Sequence, residues 1–382
     1  MRIKLIDVDS RLNIKYNKVD GIYSWGDDNA YPHLIKSLIG SSVTAKNCVD
    51  LNAKYIYGKG FQFAGKTVMV NKNGLTINQL LRVASKEFSE QNNLFFHVNY
   101  NALHEITGVV LIPSTDARIG KADSQGYSGK FIIYDNWDKS KGKKVEKKDF
   151  TIIDRFNPSP AVIEAQVEAA GGWNKYKGQI LHITSDFSDI YSLSDGDCAL
   201  KDMDCEDRAS TFKNAGLRRG FFGSKLITVK PFDDDFDKDG FDRMIKDLVG
   251  VENSSGVATI ELKSAADVIS EEIDIKDIDS NYTDTNVEYT EASSAKKIRK
   301  AFGVPSILIE DSDNSIFGDS GALLKQAKLT HWENKEEERN IVTEAFQRIF
   351  SRWHEPINPQ NDWSITPIIT LDTNTTTNVT VN

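Results

Sequence analysis

The stretch from Thr285 to Trp353 constrains the fold more than any other. It reads as helix, sharp stop, polar loop, long helix. Thr285 and Glu288 stand at capping-box spacing, and Ala292, Ala295, Ile298 and Phe302 then recur with a helical period. Gly303 and Pro305 end the pattern, because proline cannot continue a helix and disfavours helix at the residue before it. Ile307 to Ile309 is a short apolar run, and Asp311 to Ser320 is almost wholly polar with no regular period. From Ala322 a second helical pattern runs to Trp353 and is broken by Pro356; at 1.5 Å per residue it predicts about 50 Å of helix. Its stripe Val342, Ala345, Phe346, Ile349, Phe350 and Trp353 is an apolar face that needs burial, either in its own domain or against a neighbouring subunit.

The 382 residues suffice for two or three domains with sizeable cores. No apolar run approaches the roughly 20 residues a membrane helix needs, and residues 1–11 are too charged for a secretory signal. Cys48, Cys198 and Cys205 form an odd set without metal-ligand spacing, which suits a reducing compartment. The net charge of −9 is unevenly placed. Between Pro231 and Thr290 stand 17 Asp and Glu against 5 Lys and Arg, a balance of −12. Such a chain is a poor sequence-reading DNA binder, since affinity for nucleic acid comes mostly from neutralising phosphates. It is compatible with a surface that DNA must pass without sticking.

Taken in order, Ser24 to Pro32 is a turn-rich lead into a helix from Pro32 to about Ile39. A second helix, Val43 to Tyr57, is stopped by Gly58. Gly58-Lys59-Gly60-Phe61 then opens a strand. Thr76 and Gln79 cap a helix over Ile77 to Gln91. Strands follow at Leu94–Tyr100, Gly108–Ile112, Lys130–Asp135, Phe150–Ile153 and Gln179–Ile183. A loop with six lysines, Lys139 to Lys148, reads as a solubilising hairpin tip. A helix from about Cys198 to Arg219 comes next. Lys225–Val229 and Val257–Leu262 read as strands around a helical piece, Phe241–Val249. Ile273–Ile278 is an acidic strand-like bridge, and Ile365–Leu371 has strand character.

Two stretches imitate well-known sites. Gly60-Phe61-Gln62-Phe63-Ala64-Gly65-Lys66-Thr67 matches the phosphate-loop pattern G-x-x-x-x-G-K-T. That chemistry needs backbone amides converging on phosphate where a helix starts, yet Val68-Met69-Val70 follow as a β-branched strand signal. The stretch reads as a hairpin turning at Ala64-Gly65-Lys66. A nucleotide-hydrolysing enzyme using Gly65, Lys66 and Thr67 is the alternative. Asp235-Phe236-Asp237-Lys238-Asp239-Gly240 copies the first half of a calcium loop, but its twelfth position is Lys246, which repels a cation. It reads as an acidic solvated loop. The histidines form no catalytic or zinc-binding pattern: His182 reads as packed in a strand, and His331 and His354 as interface or core residues beside Trp332 and Trp353. No cofactor, metal or catalytic residue is expected.

Ala301-Phe302-Gly303-Val304-Pro305, a polar loop, and Gly321-Ala322-Leu323 opening a long helix together resemble portal proteins of tailed bacteriophages. The lead Trp25-Gly26-Asp27-Asp28-Asn29-Ala30-Tyr31-Pro32, the helix pair and the Gly58-Lys59-Gly60-Phe61 exit resemble the amino-terminal wing of the same family. So does the Arg219-Gly220-Phe221 exit from the helix after His182. The resemblance implies an α+β, portal-like fold: a mixed α/β wing over 1–196, a first stem helix over 197–222, and a small α/β clip with an acidic bridge over 223–284. It further implies a second stem helix over 285–302, a channel loop over 303–320, and a long upper helix with a short tail over 321–382. It implies a structural protein rather than an enzyme: a closed, dodecameric ring at the capsid vertex of a virion, assembled in the host cytoplasm, through which double-stranded DNA enters and leaves non-specifically. Partners implied are further copies of the chain, the terminase large subunit, a head–tail connector and the major capsid protein, and no membrane. Channel-loop residues are then Asp311, Asp313, Asn314, Ile316, Phe317 and Asp319. Residues placed to touch DNA phosphates are Arg218, Arg219, Lys296, Lys297, Arg299 and Lys300. Another ring-forming virion or tail protein is the remaining alternative.

Overall fold

A computed structural model describes residues 16–17, 21–140, 149–186, 190–218, 225–229, 273–277, 284–309 and 320–368. The chain divides into two compact units: Met1–Met203 with Lys296–Asn382, and Asp204–Ala295.

The first unit opens with a two-residue pairing, β1 (Tyr16–Asn17) with β2 (Ile22–Tyr23). Helices α1 (Tyr31–Ser41), α2 (Val43–Tyr57) and α3 (Ile77–Gln91) follow. Each boundary has a local cause. Pro32 sits in the first turn of α1, and Ser42 caps α2 by accepting from the Ala45 amide. Gly58 ends α2 at a positive φ of 57°. Thr76 and Gln79 form the reciprocal capping box that their spacing announces.

A six-stranded sheet forms the centre, in the order β4 (Ile106–Ile112), β3 (Asn93–Tyr100), β8 (Gln179–Thr184), β7 (Thr151–Arg155), β6 (Lys130–Ile133), β5 (Ala117–Ile119). Between β6 and β7 lies a single helical turn, α4 (Trp137–Ser140). All pairings are antiparallel except β7 with β8. Parallel neighbours need a crossover, supplied by α5 (Pro160–Ala170), which starts on a proline and stops at Gly171 with φ 84°. Neither α5 nor the three-residue β5 is expected from the sequence pattern.

Alternation along β3 and β8 sends side chains to two separate cores. Leu94, Phe96, Val98, Leu181 and Ile183 face α3, together with Phe346, Ile349 and Phe350 of the carboxy-terminal helix. Phe95 and Ile180 face Trp25, Tyr191, Ile35 and Leu38. A strand covered on both faces reads as a continuous apolar run, which is why Leu94-Phe95-Phe96-His97-Val98 looks so hydrophobic. The stripe left open between two burials is therefore settled: Val342, Ala345, Phe346, Ile349 and Phe350 are buried within their own unit.

The expected single helix from Ala322 to Trp353 is two helices, α8 (Ser320–Asn334) and α9 (Glu336–Phe350). Lys335 leaves helical geometry at φ −99°, ψ 19°. Its ammonium is drawn inward to Glu338 at 2.6 Å, with Asp195 at 3.8 Å. Glu336, Glu337 and Glu338 then occupy the first turn of a fresh helix, where the dipole favours anions. Ile365 to Pro367 are irregular rather than a strand, and residues 369–371 of that expected strand lie outside the described residues. Among the described residues no helix is long and apolar enough to cross a membrane.

The second unit contains most of α6 (Leu200–Arg218), the antiparallel pair β9 (Lys225–Val229) and β10 (Ile273–Asp277), and the first part of α7 (Asp284–Ala301). Register places Lys225 opposite Asp277 and Val229 opposite Ile273. Lys213 and Glu291 form an ion pair, and Ala209, Val287 and Ser294 are buried. Phe212 is 47 % and Tyr289 76 % exposed. The expected strand Val257–Leu262, the helical piece Phe241–Val249 and the acidic loop Asp235–Gly240 lie outside the described residues.

Candidate functional site

The end of α7 is the best-built part of the stretch that the sequence singled out. Ile298 and Phe302, one turn apart, are buried with Val304. Gly303 takes φ 64°. Its amide donates to Lys300 O (3.2 Å), and the Val304 amide donates back to Arg299 O (2.9 Å). This double closure on a left-handed glycine is the Schellman stop, with Val304 packed in the same core as Ile298. Asn52 Nδ2 of α2 then donates to the Phe302 carbonyl at 3.0 Å. The aim of the chain as it leaves α7 is thus fixed by a cap, an apolar contact and one long-range hydrogen bond.

The basic residues here are not equivalent. Lys296 and Lys300 are exposed and one turn apart. Lys297 holds Asp202 at 2.9 Å. Arg299, half-buried, and Lys300 lie in the last turn, where cations also answer the helix dipole. Arg218 is the last residue of α6; Arg219, and all of Asp311, Asp313, Asn314, Ile316, Phe317 and Asp319, lie outside the described residues.

The phosphate-loop match builds something else. Ala64–Thr67 is one turn of 3-10 helix, and Val68 beyond it is extended rather than helical. The expected hairpin is absent too. Val70 pairs with Leu75, Ile77 with Val68, and Val109 with Val70, instead of any pairing with Phe61–Phe63. The glycines have packing reasons. A Cβ on Gly65 would stand 2.4 Å from the Ile357 carbonyl oxygen, and Gly60 sits at φ 73° against Asn78 and Tyr57. Asn78 takes both backbone groups of Phe61. Lys66 donates to Gln62 at 3.1 Å on the exposed side. No helix start faces a common point, so the cradle that phosphates require is not formed.

The turn Trp25–Asn29 owes its shape to a residue the sequence did not single out. Arg118 is fully buried in β5. Its Nε donates to Asn29 Oδ1 (2.6 Å), its Nη2 to Asn29 O (2.7 Å), and its Nη1 to the carbonyls of Ser114, Thr115 and Ala117. Asn29, at φ 60°, also accepts from the Trp25 amide at 2.9 Å. Trp25 stacks on Tyr191 with centroids 4.2 Å apart, and the guanidinium lies against Trp25 and Trp137. Burial pushes the Arg118 guanidinium down to about 10, still well above neutrality. No local signal marks this arginine, because every partner but its own neighbours comes from elsewhere in the chain.

His182 and His331 are both held neutral by their surroundings. His182 stacks on Phe95 at 4.5 Å, and burial together with the positive charge of Arg155 pushes it down to about 3. His331 is fully buried against Tyr55, 4.6 Å between rings, and neither ring nitrogen has a hydrogen-bond partner. Burial, reinforced by Lys335, pushes it down to about 4. His354 lies at the end of the same segment, its backbone amide donating to Ile106 O at 3.1 Å.

No protein-family model and no curated protein matches this sequence. Solved structures do. The neck of a native gene transfer agent particle, computed with C12 symmetry, aligns with TM-score 0.51 and 16 % identity over 85 % of this chain and 82 % of that chain. The neck of an empty gene transfer agent particle, computed with C6 symmetry, aligns with TM-score 0.50 and 16 % identity over 84 % and 81 %. A crystal structure of an HK97-family phage portal protein from Corynebacterium diphtheriae aligns more loosely, with TM-score 0.40 and 9 % identity over 84 % and 90 %, too loosely to build on. At these identities the particle-neck structures establish a shared mixed α/β fold across most of the chain and nothing finer.

Proposed function

We propose that this chain is a portal-type neck protein, a structural subunit that closes with identical copies into a ring at one vertex of a phage-like particle. The observation that carries the reading is the fold shared with a twelvefold-symmetric particle neck over 85 % of the chain. Supporting it is the stop at Phe302-Gly303-Val304, which fixes the direction of the chain as it leaves α7. In this reading α6 and α7 are the stem helices, and the exposed Phe212 and Tyr289 are covered by a neighbouring copy. A ring follows when unlike surfaces meet and the rotation closes, and twelve copies are expected. Double-stranded DNA passes through the centre. The surplus of carboxylates between Pro231 and Thr290 keeps it from adhering, while of the six basic residues named for DNA contact Lys296 and Lys300 are exposed and placed to meet phosphates. The segment Asp311–Asp319 lines the narrowest point. The strands β9 and β10 belong to the clip that docks the terminase large subunit and later the head–tail connector. The protein acts in the virion and performs no chemistry of its own.

Native mass spectrometry and negative-stain microscopy of the purified protein test this. A closed ring with a central hole, joined to terminase binding that is lost on deleting residues 231–272, is the expected result. A stable monomer that releases phosphate from ATP overturns it.

A further inference from the structure

Two cavities of the first unit differ in how their cations are balanced. The larger, about 780 Å³ between α2 and α3, mixes Lys36, Lys54, Arg82 and Lys86 with Asp50, Glu87 and Glu90. There Lys86 holds Asp50 at 3.2 Å. The smaller, about 400 Å³, lies at the β7–β8 junction and is lined by Arg155, His182, Thr184, Ser128 and Tyr127, among others, with no carboxylate among its described lining residues.

The donors and acceptors of this second cavity do not balance. Arg155 Nε donates to the Ser128 carbonyl (2.5 Å), and the guanidinium face lies 5.0 Å over the Phe131 ring. That packing fixes the plane of the fork, yet its two Nη groups have no acceptor among the described residues. Two of the neighbouring hydroxyls are already spent: Ser128 donates to Gly120 O, and Thr184 to Asp186 O. His182 is tied to Asn93 through Nε2. A half-buried guanidinium with spare donors recognises a group that only accepts and is negatively charged.

We propose that this pocket is a binding site for a small, singly charged oxyanion, a phosphate or carboxylate group gripped by the two Nη groups of Arg155. The single cation limits it to one charge, since His182 stays neutral beside it. The volume admits such a group together with an organic appendage.

Inorganic phosphate and acetate are the probes, titrated into the intact protein by calorimetry with chloride held constant. Saturable binding of either, weakened about tenfold or more in Arg155→Gln, is expected; the preferred anion reports whether the group is tetrahedral or planar. Arg155→Lys keeps the charge and stem but loses the fork, and is expected to bind more weakly than the native chain and more tightly than Arg155→Gln. If Arg155→Gln does not fold, Arg155→Lys and the shift of the Arg155 side-chain N–H resonances under phosphate carry the test. No saturable binding of either anion, or binding unchanged in the arginine variants, overturns the proposal.

Discussion

Arg118 and His331 are both fully buried and both basic, and the protein treats them oppositely. Arg118 arrives in the interior with five hydrogen bonds and two indole faces, and keeps its proton. His331 arrives with none and loses its proton. Burying a polar group is costly unless its hydrogen bonds are replaced. Where partners are plentiful the charge becomes an organising centre, holding the Trp25–Asn29 turn to the sheet. Where they are lacking, the group survives by becoming neutral, packed on Tyr55 beside Lys335, Glu338 and Arg339.

The contrast can be broken first at Arg118. Arg118→Ala leaves the carbonyls of Asn29, Ser114, Thr115 and Ala117 unmatched and opens a cavity between two tryptophans. A loss of about 3–5 kcal/mol in chemical denaturation is expected. Arg118→Lys tests whether charge alone suffices. One ammonium cannot reach acceptors on both sides of the fork, so a loss of about 2–3 kcal/mol is expected; a neutral result would show that the geometry of the fork is unimportant.

At His331 the sign of the pH dependence is the test. The folded state holds this imidazole near 4, below its ordinary value of 6.5. Between those values the unfolded chain binds more protons than the folded one, so stability rises with pH across the window. The contribution is complete above about pH 6.5 and is lost as pH falls toward 4, by up to about 3 kcal/mol. Denaturation midpoints measured across that range should show this slope, and His331→Phe should make it shallower, leaving the part that His182 contributes. A slope of the opposite sign would mean that the buried imidazole is charged and paired. The smallest effect is expected at Lys66, whose ammonium meets only Gln62 among the described residues. Lys66→Ala should move stability by no more than about 0.5 kcal/mol and leave assembly unchanged, measured by thermal denaturation and native mass.

Much of the local structure was legible in the sequence because its causes are local. The capping box at Thr76–Gln79, the glycine stop at Gly58 and the Gly303–Pro305 stop each lie within a few residues of the element they bound. So do the apolar alternations of β3, β4 and β8. The break at Lys335 had a signal as well, Asn334 followed by three acids suited to a helix start, yet an unbroken helical period on either side masked it. Helix α5 was hidden by a weak apolar face, with only Ile163 and Val167 buried, and β5 by being three residues long.

What the sequence by itself determined is most of the helices and strands and many of their ends, through caps, periodicity and the conformational limits of glycine and proline. Tertiary structure alone decided that β7 and β8 run parallel, that the carboxy-terminal stripe packs on its own sheet, and that Arg118 fastens a turn 89 residues away. It also decided that the turn expected at Ala64-Gly65-Lys66 is a packed 3-10 turn and not the tip of a hairpin, with Gly65 needed to admit the Ile357 carbonyl. Propensity and capping act over one or two helical turns, so a sequence displays them directly. Packing joins residues hundreds of positions apart, and its cost or gain exists only once both sides are in place.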